Sequence, residues 1–472
     1  MKALALPLAV TAAALIVLVA DVIVPARRGR LLGWLTAALL AGTLVATFVV
    51  DTSGDAGAFV SDAWTLFFAR IFLAAGILAV LGSLDYVETQ VPRRQGEYYL
   101  LLLLGLIGML LLPGARDLLL LVVAFELMGL PLYILAAYAK TDAPAVQGPG
   151  RSPAAEAALK LYLVGAASTA ITLFGLSLVV GMAGTTRIAA VLAAPLAPIS
   201  AVGMLIVLAG LSFKIGVVPF HMWVPDTYQG AATPYVAFLS VAPKAAGIAA
   251  IVAVFGSHAG PWHAAIAVLA IATMVVGNLL ALPQTDVRRL LGYSGVAQMG
   301  VVLVALATGG AAGMGTAAFF LAGYLFTNMG AFLVLHAVAE DGGRHDLVGI
   351  AGLARRLPWL GLALLLFLLS LAGIPFVIGF WAKLYVFLAA WRADLHLLVI
   401  AGATLAVVSL FYYLQVARAA YMAEPVVPTP PHVGAPLRAA ILVCLVAVVG
   451  LGLWPQPLTE AAATAGAALV GR

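Results

Sequence analysis

Residues 213–234 read FKIGVVPFHMWVPDTYQGAATP. The stretch closes a long apolar run, yet it carries Lys214, His221, Asp226 and the prolines Pro219, Pro225 and Pro234. An ammonium deep in hydrocarbon costs on the order of 2.5–3.5 kcal/mol. A proline five residues later removes an N–H and frees the carbonyl four residues before it. Backbone groups freed in this way persist at membrane depth only where protein or a water-filled cavity satisfies them. The stretch therefore predicts a broken transmembrane helix with a small polar pocket beside its lysine.

The rest of the chain suits a membrane. Of 472 residues, 64% are hydrophobic and 9% charged, whereas a soluble globule carries about 25% charged residues. The apolar runs are about 20 residues long, enough to cross a ~30 Å hydrocarbon core as helix, and they do not alternate as barrel strands would. The class is an all-α polytopic membrane protein. Its expected spans are 3–24, 31–50, 64–84, 98–113, 117–139, 156–181, 200–221, 232–255, 262–282, 289–309, 313–338, 357–390, 395–422 and 437–456. The first run follows Lys2 as a signal peptide would, but it is long enough to span, and Arg27, Arg28 and Arg30 mark its end. The run 357–390 is too long for one straight helix and holds AGIP near its middle, which makes it a second broken helix.

Charge placement tests this count. Fourteen basic residues fall in loops opposite the N-terminus and five on its own side, Lys2, Arg116, Arg187, Arg392 and Arg472. The positive-inside rule then puts both termini outside the cytoplasm. Five basic residues remain within spans: Arg70, Lys160, Lys214, Lys244 and Lys383. Four of the six lysines are thus inside, and seventeen of the 18 arginines are at span ends or in loops. A desolvated lysine can be pushed towards neutrality whereas an arginine cannot. That division suits a membrane protein that handles protons.

Each charge has a plainer reading beside the functional one. Lys160 lies about one turn into its span, where snorkelling or structural pairing competes equally with transport. Arg70 is expected to pair with Asp62. Glu126 is the one carboxylate in the middle of a span; it needs a basic partner or water, and a structural Glu–Lys staple is its alternative role. His221 at the break and His336 near a span end can relay protons or simply be hydrogen-bonded interior residues. His258 and His263 flank a loop.

Composition also excludes. The single cysteine, Cys444, rules out an intrachain disulfide framework and an all-cysteine iron–sulfur or metal site. The sequence has no P-loop and no G-x-G-x-x-G following a strand. No basic run exceeds two adjacent residues, so nucleic acid is not an expected partner. The chain is expected to work without a cofactor of its own.

The two broken segments correspond. Gly216 precedes Pro219 and Phe220 much as Gly373 precedes Pro375 and Phe376. They lie five spans apart, and an odd offset reverses their direction across the bilayer. Two inverted five-helix repeats are expected, at 97–256 and 262–422, between an N-terminal unit 1–90 and a C-terminal helix within 437–472. Paired broken helices of this kind point to an ion path. Pro243, directly before Lys244, adds a further distortion beside a charge. Glu126, Lys214, Lys244 and Lys383 are then expected to form a line through both repeats.

At these residues the chain resembles a known family. FKIGVVPFHMWVPDTYQGAATPYVAFLSVAPKAAG (213–247) resembles the signature region of the antiporter-like subunits of respiratory complex I. YYLLLLLGLIGMLLLPGARDLLLLVVAFELMGLPLYILAAY and SLAGIPFVIGFWAKLYVF are similar to the N-type subunits of bacterial NADH:quinone oxidoreductase. The likeness covers roughly residues 60–420. It implies fourteen helices with inverted repeats and a cofactor-free subunit of a translocase, moving protons as partner subunits reduce quinone. It matches Glu126 to the family's fifth-helix glutamate, and Lys214, Lys244, Lys383 and Lys160 to lysines of its seventh, eighth, twelfth and sixth helices. NAD, FMN, iron–sulfur clusters and quinone are expected in partners, the other membrane-arm subunits, within a bacterial cytoplasmic membrane. Gln298 departs from the pattern by standing where many N-type subunits carry histidine. The alternative function is a subunit of a Mrp-type Na⁺/H⁺ antiporter or a membrane-bound hydrogenase.

Overall fold

The computed structural model describes residues 2–25, 28–138, 152–195, 197–256, 262–339, 344–426 and 429–470. Arg27, Lys140, Arg151, His258 and Arg472, used in the sequence reading, lie outside the described residues.

Among those residues, 13 helices are long and apolar enough to cross a membrane. The twelfth expected span is present as two shorter helices, Pro358–Ala372 and Ile378–Arg392, which together complete the fourteen. Local chemistry sets the ends. Asp62, Asp117 and Asp286 each accept a backbone N–H at the start of a helix, satisfying groups that would otherwise be stranded. The core lies around the tenth and eleventh spans, Val287–Thr308 and Gly310–Ala339, which are 100% and 94% buried over their apolar windows.

Both predicted breaks occur. The seventh span, Pro198–Ile215, ends at Gly216 with φ 74°, and helix resumes at Trp223–Gly230. The twelfth ends its first half at Gly373 with φ 88° and resumes at Ile378. Such left-handed φ values suit glycine, which has no Cβ to clash. The two ends close alike: Gly216 N donates to Phe213 O and Val217 N to Ser212 O, as Gly373 N does to Ser370 O and Ile374 N to Leu369 O. This is the double bond of a Schellman ending. The eighth span is also interrupted, into Thr233–Leu239 and Ala242–Phe255, with Pro243 in the first turn of the second piece.

A second pair of features matches. Leu118 N donates to Thr186 O and Ile188 N to Arg116 O; in the later half, Val287 N donates to His345 O and Leu347 N to Thr285 O. Each double bridge flanks a capping aspartate, Asp117 or Asp286.

Two parts depart from the sequence reading. Arg70 does not turn to Asp62: its guanidinium donates to Thr47 Oγ1 and O at 3.2 and 2.8 Å and lies over Phe48. A carbonyl on the neighbouring second span serves it, and Asp62 caps Thr65 N instead. A last helix, Gln456–Val470, follows the fourteenth span, Ala435–Leu453. It buries Ala462, Ala465 and Leu469, at helical spacing. Gly466 lies so close to the eleventh span that a Cβ there would stand 2.6 Å from Gly315 N.

Candidate functional site

The fifth span, Leu118–Ala136, places Glu126 and Tyr133 seven residues apart, two turns along one face. Glu126 Oε1 accepts from Thr169 Oγ1 of the sixth span at 2.5 Å. Lys214, 4% exposed, donates from Nζ to the Tyr133 hydroxyl at 3.0 Å. Its ammonium also lies 4.7 Å from the Tyr133 ring and 5.0 Å from that of Phe125, where ring quadrupoles attract a cation. No ion pair among the described residues includes Glu126. The expected Glu–Lys contact is therefore replaced by Thr169–Glu126 and Tyr133–Lys214, two hydrogen bonds side by side. Gly129 makes the room: a Cβ there would stand 2.7 Å from Lys214 Nζ.

Lys244 is fully buried, and its ammonium has no hydrogen-bond partner among the described residues. It lies 5.4 Å from the Tyr228 ring. Beside it, a Cβ on Gly295 of the tenth span would meet Lys244 Nζ at 2.8 Å and Tyr324 Oη at 2.9 Å. Ammonium and phenol thus converge over one glycine. Gly247, one turn beyond Lys244, faces the Lys214 Cβ at 3.3 Å by the same measure, so the seventh and eighth spans meet where their lysines are.

Lys383 donates to Leu371 O at 2.7 Å and Ala372 O at 3.0 Å. Proline arithmetic accounts for the first, because Pro375 frees the carbonyl of Leu371. Gln298 Nε2 donates to the same oxygen at 2.9 Å and to Tyr413 Oη at 3.2 Å. The polar pocket anticipated at a broken helix is thus built, with Gln298 as part of its wall. A cavity of about 10 Å³ beside Lys383 is lined by Gln298, Tyr324, Thr327 and Ser370, about the room one water needs. Tyr324 borders both this cavity and, over Gly295, Lys244.

Lys160 stands apart from these three. Its side chain is 45% exposed and pairs with Glu156 and Asp226, each at 2.8 Å. Asp226 also accepts from Arg289 at 2.5 Å. Burial would raise the Asp226 carboxyl, but hydrogen bonds from Lys160 and Arg289 outweigh it and hold the group below its usual range. His221 tilts towards Tyr293 in the turn of the seventh span. His336 is buried at the end of the eleventh, edge-on to Tyr86. Sequence reasoning missed Tyr133, Thr169, Tyr228 and Tyr324. For Tyr133 a signal existed in its two-turn spacing from Glu126; the others are brought in by tertiary packing.

Broken helices that each set a lysine in a buried, hydrogen-bonding pocket define the antiporter-like class of polytopic membrane subunits. The chain belongs to the NADH:quinone oxidoreductase/Mrp antiporter transmembrane family, whose model matches residues 115–409. It is 40% identical over 439 residues to NADH-quinone oxidoreductase subunit N of Heliobacterium modesticaldum, covering 91% of each chain. It is likewise 40% identical over 449 residues to subunit N of Moorella thermoacetica, with 93% of this chain and 92% of that one covered. Among solved structures, a chain of respiratory complex I from Thermus thermophilus with bound aureothin superposes with TM-score 0.82 at 32% identity, over 96% of this chain and 98% of that one. A chain of the Mrp complex from Dietzia sp. superposes with TM-score 0.87 at 24% identity, over 99% and 97% of the two chains. That last likeness shows the shared fold.

Proposed function

We propose that this chain is a proton-translocating membrane-arm subunit of an NADH:quinone oxidoreductase in a bacterial cytoplasmic membrane, with both termini on the non-cytoplasmic side. The observation that carries the reading is the series of three buried lysines, each set beside a helix break and each over a glycine. Two inverted repeats, 97–256 and 262–422, supply one broken helix apiece. The matched Schellman endings and matched double bridges support that division.

The chain's own groups suggest a sequence of steps. The Tyr133 hydroxyl accepts from the Lys214 ammonium and stands two turns along the fifth span from Glu126, so it can accept from the lysine and donate its own proton onward. Lys244, with no acceptor among the described residues, is a way-station. Lys383, held by two carbonyls, is the better-stabilised terminus of the line. Glu126, Lys214, Lys244 and Lys383 carry the proton, while Lys160 acts at the water-facing rim with Asp226. NAD, FMN, iron–sulfur clusters and quinone belong to partner subunits, and quinone reduction there drives the line.

Lys214→Ala in the assembled complex tests this. Inverted vesicles should oxidise NADH with proton uptake reduced at least tenfold; unchanged uptake per quinone reduced would sink the mechanism. A sodium-dependent proton flux with no redox substrate would instead favour the Mrp-type reading.

A further inference from the structure

On the arginine-rich face, a cavity of about 930 Å³ opens between the starts of the sixth and tenth spans and the resumed half of the seventh. That is the size of a small-molecule site, roughly 300–1,000 Å³. Its wall carries three cations, Lys160, Arg288 and Arg289, against two carboxylates, Glu156 and Asp226. Both carboxylates are already engaged. Asp226 is shared between Lys160 and Arg289, and Glu156 reaches Lys160 one turn away. Arg288 is left with neither: it faces Asp286 at 3.8 Å, too far for a hydrogen bond. Its side chain is only 14% exposed, and its Nε has no hydrogen-bond partner among the described residues.

The position of the two arginines adds to the excess of positive charge. They are the second and third residues of the tenth span, Val287–Thr308. The start of a helix is its positive end, where cations are disfavoured and anions favoured. No acid stands in that first turn, and Asp286 just before it accepts from the Arg289 backbone N–H. Two adjacent guanidiniums at a helix start, on the wall of a cavity, leave a place for an anion. Their planar forks match the oxygens of a phosphate group, two at a time. Part of the wall is apolar. Leu159 lines the cavity and is 56% exposed, and Leu163, one turn deeper on the same face, is equally exposed. Cations at the rim with apolar side chains one turn below them repeat the order of a lipid leaflet, headgroup over acyl chain.

We infer that this cavity binds the phosphate of an anionic phospholipid from the leaflet on the arginine-rich face. Arg288 and Arg289 hold the phosphate oxygens. Lys160, with three donors and two carboxylate partners, supplies its remaining N–H. An acyl chain lies along Leu159 and Leu163. Basic pockets between spans on the cytoplasmic side take headgroups of this kind. A lipid bound there joins the starts of the sixth and tenth spans, which are otherwise linked through Asp226. The binding makes and breaks no covalent bond, and it is independent of the proton-translocation reading.

Native mass spectrometry of the purified full chain tests the site, because it weighs each bound molecule. The chain is titrated with phosphatidylglycerol, with phosphatidylethanolamine of the same acyl chains, and with inorganic phosphate. The first phosphatidylglycerol should bind at least tenfold more tightly to the wild-type chain than to an Arg288→Gln/Arg289→Gln variant; equal affinity overturns the site. Arg355→Gln/Arg356→Gln, on the same face but outside the cavity lining, should bind as the wild type does. A tenfold loss in that variant reduces the effect to general surface charge and also overturns the site. Glu156→Gln separates lost binding from a damaged fold, since removing this carboxylate should tighten binding at least threefold; unchanged or weaker affinity counts against the site. Phosphatidylethanolamine, whose headgroup carries no net charge, should bind at least threefold less tightly than phosphatidylglycerol, and equal affinity overturns the preference for an anion. Inorganic phosphate that binds as tightly as phosphatidylglycerol overturns the lipid as its source.

Discussion

Tyr133→Phe removes one oxygen from the centre of the first pocket. The ring remains, and with it the cation–π contact of Lys214 at 4.7 Å. What disappears is a buried hydrogen bond of 3.0 Å between an ammonium and a phenol. Hydrogen bonds to charged groups contribute about 1.5–3 kcal/mol, which is roughly 10- to 150-fold in the population of the engaged state at 1.4 kcal/mol per decade. The side chain loses no apolar volume, so folding and assembly should change little. Without the phenol, Lys214 on the seventh span loses the hydrogen bond that ties it to the fifth, and the proton loses the hydroxyl it would pass through. Proton uptake per NADH oxidised, measured by dye quenching in inverted vesicles, should therefore fall by one to two orders of magnitude. Assembled enzyme should still reduce quinone. A Tyr133→Phe complex that pumps at the full ratio would show that the hydroxyl is not on the path, and the stepwise arrangement of Glu126, Tyr133 and Lys214 would be wrong.

Other consequences are smaller or of another kind. Gly295→Ala sets a methyl 2.8 Å from Lys244 Nζ and 2.9 Å from Tyr324 Oη; overpacking costs about 1–3 kcal/mol, and pumping should fall at least fivefold while quinone reduction persists, both read in the same vesicles. Asp226→Asn breaks the pairs to Lys160 and Arg289, whose side chains are 45% and 28% exposed. Because partly exposed pairs contribute about 0–1 kcal/mol, thermal stability in detergent should drop only slightly, and the drop should vanish in about 1 M salt. His345 outside the spans is held near pKa about 3 by burial first, then by Arg288 and His336. A folded value below the unfolded ~6.5 gives stability that is full above that pH and is lost as pH falls towards 3. The loss at pH 5 should be about 2 kcal/mol by the same linkage, and His345→Gln should flatten the thermal-unfolding slope between pH 7.5 and 5.

The breaks were legible because their causes are local. A glycine and a proline within a few residues determine where the seventh and twelfth spans end, and the freed carbonyl of Leu371 could be named before its partner was known. Partners themselves were not legible. Glu126 takes Thr169, 43 residues away, because the fifth and sixth spans pack there, and no pattern in either segment announces it. Arg70 chose a carbonyl of the second span over an aspartate eight residues earlier for the same reason. The last helix was missed because its buried face is mostly alanine and glycine, with Leu469 at its end, and so gives weak apolar periodicity, although alanine is the strongest helix former. Lys160 lies only a turn inside its helix, and two acids at the rim decided its place.

The pairing of each buried lysine with a glycine has a consequence for how such a protein can vary. Gly129, Gly295 and Gly373 stand against Lys214, Lys244 and Lys383 at separations where an added methyl group would push the lysine side chain aside. A drift to alanine at any of the three is therefore equivalent to moving a charge, though no charged residue is altered. Change at these positions is therefore felt through the lysine beside each glycine rather than through the glycine itself. The inventory of ionisable groups understates the machinery, because half of it is written in residues that have no side chain.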